Sequence, residues 1–288
     1  MIGLYNLEPK YTNIALEKVR TYYERQGIEV NDYVPIEANR YDKIFCSSIF
    51  TWSNKSYVKD DMICGGTGFD ITTKLPSEIE KMKPKINLGF TTRGCIRKCP
   101  FCVVPKKEGW IKVVGDIYDF WDGKASEITI LDNNILAVSR HFRKIADQIK
   151  RENLKVDFNQ GLDCRLVTDN IAKILKSLRY KYYRFSFDTL NVEKYVRRTI
   201  DILNQHEIYW SIWYVLVGFN TTYQEDLYRI ELLKSLNQRV YVQRYNNQTN
   251  DFYNKLYGWA NNRKWFIGIT FKQFLKMKNR NYEKIIEI

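Results

Sequence analysis

Short apolar runs and longer apolar stripes of helical period follow one another along most of this chain. Ile2–Leu4 is a strand-like run, and Thr12 or Asn13 stands where a helix reaching about Gln26 needs its cap. Ile14, Leu16, Val19, Tyr22 and Tyr23 fall on one face of that helix, Gly27 stops it, and a further strand follows. Ile44–Phe50 reads as the next strand. Met62–Cys64 is another, running into the flexible Gly65-Gly66-Thr67-Gly68. Residues 1–85 therefore predict a small open α/β domain, with Pro76–Pro84 as a short helix and connector.

Beyond residue 86 the same alternation becomes regular. Six strand-like runs appear, at Ile86–Thr91, Glu127–Leu131, Lys155–Asn159, Tyr182–Phe187, Ser211–Val217 and Arg239–Gln243. Helical patterns lie between them near Ser139–Glu152, Thr168–Leu178, Val192–Gln205 and Tyr223–Leu236, with a shorter one near Ile117–Trp121. Such repeats imply a parallel sheet with right-handed crossovers. Eight units close a barrel; six, over residues 86–250, leave it partial and open on one side. Residues 251–288 form a basic, aromatic extension with two short helices expected around Gly268, capping the open barrel through residues such as Trp259, Phe266 and Phe271.

Composition changes this picture little. The chain has 288 residues, 44% of them apolar, and no run approaches the roughly 20 apolar residues of a membrane span. Its first residues lack the pattern of a secretory signal, so a cytoplasmic protein with reduced cysteines is expected. Charge matters more. Residues 1–88 carry 12 Lys/Arg against 12 Asp/Glu, whereas residues 89–288 carry 34 against 21 and hold the whole formal excess of +13. An anionic partner such as RNA or DNA, or simply a solvated basic surface, accounts for that imbalance.

The sharpest chemistry sits in Gly94-Cys95-Ile96-Arg97-Lys98-Cys99-Pro100-Phe101-Cys102, three thiols on one short loop directly after the first strand of the second domain. Parallel barrels carry their sites at such strand exits. Structural zinc wants four closed ligands. The two histidines, His141 and His206, are far away in sequence, and Cys46, Cys64 and Cys164 are scattered with no partner nearby. Three cysteines can instead hold three irons of a cubane cluster and leave the fourth open.

At Cys95, Cys99, Phe101 and Cys102 the sequence resembles the radical SAM superfamily, whose hallmark is C-x3-C-x2-C with an aromatic before the last cysteine. The context Thr91–Cys95 and Pro105 is most similar to methylthiotransferases and to radical SAM enzymes with a cobalamin-binding domain. The resemblance implies a partial (β/α)6 TIM-like barrel preceded by a small Rossmann-like domain. It implies a [4Fe–4S] cluster on Cys95, Cys99 and Cys102, with S-adenosylmethionine (SAM) on the open iron. Reductive cleavage of SAM would give a 5′-deoxyadenosyl radical that takes hydrogen from substrate. An electron donor such as flavodoxin or ferredoxin would serve the cluster.

Further positions follow from the same resemblance. Phe101 corresponds to a residue near adenine, and Asp132, Asn133 and Asn134 stand where the family has a GGE-like contact to the SAM amino group, from which they depart. Ser186 and Asp188 correspond to ribose or carboxylate contacts, Gly218 to backbone against adenine, and Gln243 closes the sixth strand. Gln160, Asp163 and Arg165, in a run polar for a barrel strand exit, are candidates for substrate. Cys164 beside them is expected to be an inert buried thiol. Residues 1–85 resemble a shortened cobalamin-binding domain without a histidine, so a non-binding remnant is expected; with only Cys46 and Cys64 there, no second cluster is expected. The substrate is open between a nucleic-acid base and a peptide or small metabolite, with a non-catalytic iron–sulfur protein as the third reading. For the first, Lys173, Lys176, Arg179, Lys181 and Arg184 form a cationic run.

Overall fold

A computed structural model describes residues 1–277, and the end of the C-terminal extension, residues 278–288, lies outside the described residues. The chain divides into two compact units, Met1–Ala125 and Ser126–Ile288.

The first unit opens with β1 (Ile2–Asn6), α1 (Ile14–Glu24), β2 (Val30–Asp32), β3 (Lys43–Ser47) and β4 (Ile63–Gly65), a parallel sheet in the order β2-β1-β3-β4. Alternation along the strands makes two cores. Ile2, Leu4, Val30 and Phe45 pack with Leu16 and Val19 of α1. Tyr33, Ile44, Cys46 and Met62 form the other cluster. Asn13 rather than Thr12 caps α1, its side chain accepting from the amides of Ala15 and Leu16. β3 stops three residues short of the expected Phe50 because Glu8 captures the chain there. Its buried carboxylate accepts from the Ile49 amide at 2.9 Å and the Ser48 hydroxyl at 3.0 Å. Burial raises the pKa of that carboxyl, but hydrogen bonds from Ser53, Ile49 and Ser48 outweigh it and hold the group below its ordinary value.

One turn of helix, α2 (Ser77–Glu80), leads to β5 (Leu88–Gly89), β6 (Thr92–Arg93), α3 (Val104–Lys107) and β7 (Lys112–Val113). The expected strand Ile86–Thr91 is thus cut short, and the next two residues, β6, pair antiparallel with β7. The expected helix near Ile117–Trp121 is a single 3-10 turn, Ile117–Asp119, capped by the Asp116 side chain.

In the second unit, β8 (Glu127–Ile130), α4 (Ser139–Arg151), β9 (Lys155–Phe158), α5 (Asp169–Ser177) and β10 (Arg179–Tyr180) precede β11 (Arg184–Ser186), α6 (Glu193–Gln205), β12 (Ile212–Val217), α7 (Tyr223–Ser235) and β13 (Arg239–Arg244). Strands β8, β9 and β10 pair in parallel, as do β11, β12 and β13. The strand expected at Tyr182–Phe187 is present as β11, which pairs with β12, and a short strand not expected from the sequence, β10, pairs with β9 just before it, so the parallel pairing is split between the two. Across the split the Leu162 amide donates to the Arg184 carbonyl at 2.7 Å and the Tyr214 hydroxyl to the Asn159 carbonyl at 2.9 Å.

Side chains alternate across these strands. Ile128, Ile130, Val156, Phe158, Phe185, Trp213, Val215, Val217, Val240 and Val242 are buried, and α7 packs on β12 and β13. The alternate positions are polar or half-buried and fall opposite one another in register: Thr129 with Asp157, Ser186 with Tyr214, Leu216 with Gln243. The extension folds as α8 (Asp251–Ala260), α9 (Arg263–Gly268) and α10 (Phe271–Met277) rather than as two helices, since Asn262 caps a new start after α8. Its aromatics make a small core of their own. Trp259 is fully buried, with Phe266 and Phe271 at 5.2 and 5.3 Å between ring centres. Asn261 clamps the extension to β13, accepting from the Val242 amide at 2.7 Å and donating to its carbonyl at 3.1 Å. No helix among the described residues is long and apolar enough to cross a membrane.

Candidate functional site

The cysteine loop leaves β6 and returns through α3 to β7, so a two-strand ribbon forms its base. Gly94 makes the exit possible. Its φ is +84°, and a Cβ there would lie 2.5 Å from the Trp110 carbonyl oxygen and 2.7 Å from that of Gly109. Only glycine fits both demands. Main-chain bonds then set the loop: the Gly94 amide donates to Glu108 Oε2 at 2.8 Å, the Cys95 amide to the Gly109 carbonyl at 3.2 Å, and the Cys102 amide to the Cys99 carbonyl at 3.0 Å. Glu108 is held in turn by Arg93 at 2.8 Å.

Cys95, Cys99, Cys102 and Phe101 are half-buried, and among the described residues no disulfide is formed. The Arg97 amide points at Cys95 Sγ at 3.3 Å. That contact suits a thiolate, as do the neighbouring Arg97 and Lys98. A donor set of three thiols, one already met by a main-chain N–H, fits an iron–sulfur cluster. Among the described residues no three His, Cys, Asp or Glu side chains are gathered as ligands of a single ion.

The other cysteines differ. Cys46 and Cys64, scattered in sequence, are brought side by side as register partners on β3 and β4. Burial pushes Cys46 up to about 12, and Cys64 is raised by the same cause. Cys164, almost wholly buried, is likewise pushed up to about 12 by burial and meets the Ser186 carbonyl at 3.9 Å. It is buried, as expected.

In the second unit the strand exits gather several predicted residues. Asn134 donates to Asp163 at 3.2 Å, and Asp163 binds Arg165 at two points, 2.6 and 3.2 Å. Asp163 also accepts from the Arg165 amide, capping the 3-10 turn Cys164–Leu166. Asp132 and Asn134 are buried and Asn133 is half-buried. Asp188 accepts from the Leu216 amide at 3.1 Å. Burial raises the pKa of its carboxyl; the Leu216 amide, the nearby Arg229 and the Ser186 hydroxyl pull the other way. Gln160 and Gln243 are exposed.

Gly218 has a more specific setting than its motif suggests. With φ at +79° it turns the chain out of β12, its amide donating to Asp226 at 3.0 Å and its carbonyl accepting from Gln248 at 3.1 Å. Both main-chain groups are engaged within the unit. Asp226 and Arg229, both fully buried on α7, were not picked out in the sequence. Arg229 reaches the carbonyls of Phe187 and Leu216, while Asp226 accepts from the Tyr253 hydroxyl at 2.9 Å. This pair fastens the exits of β11 and β12 to α7 and α8. The Thr222-x-x-Glu225 capping box was the visible signal that α7 starts here. Asp157 and Arg184 make a further ion pair on the polar face of the strands.

The cationic run is exposed at Lys173, Lys176, Arg179 and Lys181, and several of its members are paired. Lys173 pairs with Asp169 at 2.7 Å, Lys176 with Glu207 at 2.9 Å, and Arg184 with Asp157, while Arg179 donates to the Asn153 carbonyl at 2.6 Å.

No protein-family model matches the chain, and no curated protein matches it in sequence. Solved structures do. The radical S-adenosylmethionine methyltransferase TsrM from Kitasatospora setae, with cobalamin and a [4Fe–4S] cluster bound, superposes with a TM-score of 0.63 at 12% identity, over 84% of this chain and 74% of that one. The same enzyme with its tryptophan substrate and the SAM analogue aza-SAM gives 0.60 at 12% identity, over 83% and 72%. Identity this low speaks for architecture alone: the chain is a mixed α/β protein with parallel sheets and a fold similar to that of this methyltransferase.

Proposed function

We propose that this chain is a radical SAM enzyme whose cluster ligands are Cys95, Cys99 and Cys102. What supports the reading is one coincidence. A C-x3-C-x2-C loop with Phe101 before its last cysteine occurs, half-buried and held by main-chain bonds, in a chain whose fold matches a radical SAM methyltransferase. A [4Fe–4S] cluster held by these cysteines would supply one-electron reductive cleavage of the SAM sulfonium, its electron coming from the reductant named below, to methionine and a 5′-deoxyadenosyl radical.

The chain's own work is to hold and orient. Gly94 and Glu108 fix where Cys95 stands. On this reading residues 86–250 form a partial (β/α)6 barrel, and Phe101, Asp132, Asn133, Asn134, Ser186, Asp188, Gly218 and Gln243 are its SAM contacts. Asp163 and Arg165, locked together, and exposed Gln160 face substrate. The Asn134–Asp163 bond makes the first two of those one cluster with the SAM contacts, so a change in either is felt by both. The substrate is a nucleic-acid base, favoured by the excess charge of residues 89–288. Flavodoxin or ferredoxin serves as reductant in the cytoplasm.

A second reading has its own support. The matched structures are of a methyltransferase that binds cobalamin. On that reading the Rossmann-like first unit keeps a corrinoid and the reaction transfers a methyl group. One experiment separates the two. The protein is reconstituted anaerobically with iron and sulfide, then given dithionite, SAM and total RNA. 5′-Deoxyadenosine supports the first reading; S-adenosylhomocysteine together with corrinoid absorbance in protein purified from cobalamin-fed cells supports the second. Neither product from a protein with full iron content leaves a non-catalytic iron–sulfur protein.

A further inference from the structure

The helix α3, which carries the chain from Cys102 back towards β7, is four residues long. A helix of that length has no stability of its own and stays where other contacts hold it. Its last residue, Lys107, supplies one such contact. The half-buried ammonium donates to the Thr67 hydroxyl at 2.6 Å, in the glycine turn that leaves β4. Burial and the nearby Arg93 pull the pKa of Lys107 down, while Glu108 and Asp70 act against them.

The seat of that bond is itself fixed. Gly66 has a φ of +94°, and a Cβ on it would lie 2.4 Å from the Ser48 carbonyl oxygen. One on Gly68 would lie 2.2 Å from Ser48 Oγ and 2.4 Å from the Phe50 carbonyl oxygen. The two glycines thus let the turn press against the chain leaving β3. Main-chain bonds close the contact: the Gly68 amide donates to the Ser48 carbonyl at 2.9 Å, and the Ser48 amide to the Gly65 carbonyl at 3.1 Å. The Ser48 hydroxyl donates in turn to buried Glu8 at 3.0 Å. An unbroken series of contacts therefore runs from the first sheet through Thr67 and Lys107 to the helix that follows Cys102.

We infer that Lys107 is a positioning residue for the cluster loop, and that the first sheet is the footing of that loop through the Thr67 seat. The inference rests on the reading of Cys95, Cys99 and Cys102 as cluster ligands. It gives the small first sheet a task that is independent of any ligand of its own. Gly94 and Glu108 fix the loop where it begins, and Lys107 fixes it where it ends. The long lysine stem spans the gap between two segments that share no main-chain pairing, and its ammonium needs only one acceptor at the far side.

Full-length protein, reconstituted anaerobically with iron and sulfide and then given a chelator, tests the assignment by its rate of iron release. Lys107→Met and Thr67→Val should each speed release by about three- to tenfold, the loss of one hydrogen bond. Lys107→Arg keeps a donor and should restore most of the loss. The double variant should release iron no faster than either single one, because both remove the same bond. Cluster-free protein gives a second readout. Deuterium uptake across residues 95–107 should rise in Lys107→Met and Thr67→Val, while that of β1 and β3 stays unchanged. Wild-type release with unchanged uptake, no recovery in Lys107→Arg, or additive losses in the double variant would overturn the inference. A wild-type protein that takes up no iron would instead overturn the reading of the cysteines, and deuterium uptake would still decide whether Lys107 holds the loop.

Discussion

The cysteine loop and the strand exits of the second unit are built by opposite means. The loop is shaped by its backbone, through one left-handed glycine and three amide bonds, and its thiols are half-buried. The exits of β11 and β12 are shaped by side chains, through a buried Arg229–Asp226 pair that grips two carbonyls and an amide from both segments. A loop of the first kind leaves its side chains to the group it binds. An arrangement of the second kind is fixed before anything binds, which is how contacts to a small cofactor keep their geometry.

The largest test of this contrast replaces one cysteine from each setting. Cys99→Ala should remove all cluster absorbance and all iron above background, while Cys164→Ala keeps both; iron and sulfide assays read the outcome, and equal losses would break the contrast. Next comes Arg229→Met. It leaves Asp226 buried without its countercharge and should cost about 3–5 kcal/mol in urea unfolding, far more than any exposed ion pair. A cost near that of a surface pair would mean that the exits are not held this way.

Gly94→Ala sharpens the other side. The left-handed backbone alone costs about 1–2 kcal/mol, and the contact with the Trp110 carbonyl forces the loop to move. Cluster content should fall sharply while the far-ultraviolet circular dichroism of the chain holds. The smallest effect is electrostatic. Burial raises the pKa of Asp188, so the folded state holds that proton more tightly than the unfolded state. Its contribution to stability is full below the unfolded pKa near 3.8 and is lost as pH rises through the higher folded value. Asp188→Asn should therefore flatten the change in urea midpoint between about pH 4 and pH 7; an unchanged slope would show that the carboxyl titrates normally.

The sequence made one side of this contrast plain and hid the other. Three cysteines at fixed spacing after an apolar run can be read directly, and strand and helix periods placed β8, β9, β12, β13 and α4–α7 within a few residues. Asp226 and Arg229 could not be found that way. An acid and a base three residues apart on a helix look like any solvent-facing pair, and only the packing of α7 against β12, β13 and α8 takes them out of water. Glu8 cutting β3 short is similar, since it acts on amides some forty residues away. The two-residue strand β10 was not legible either, since it exists only through its pairing with β9. Cys46 beside Cys64 needed the register of two strands.

The hydrogen bond from the Gly218 amide to Asp226 has a consequence in time as well as in space. Gly218 sits in a turn, where amides ordinarily exchange with solvent as fast as the loop fluctuates. Here the acceptor is a fully buried carboxylate that Arg229 and Tyr253 also hold, so the amide cannot open without dislodging α7 and the C-terminal extension. In deuterium this loop glycine should therefore keep its proton about as long as the strand amides of β12, and removing the extension from Asp251 onward should release it.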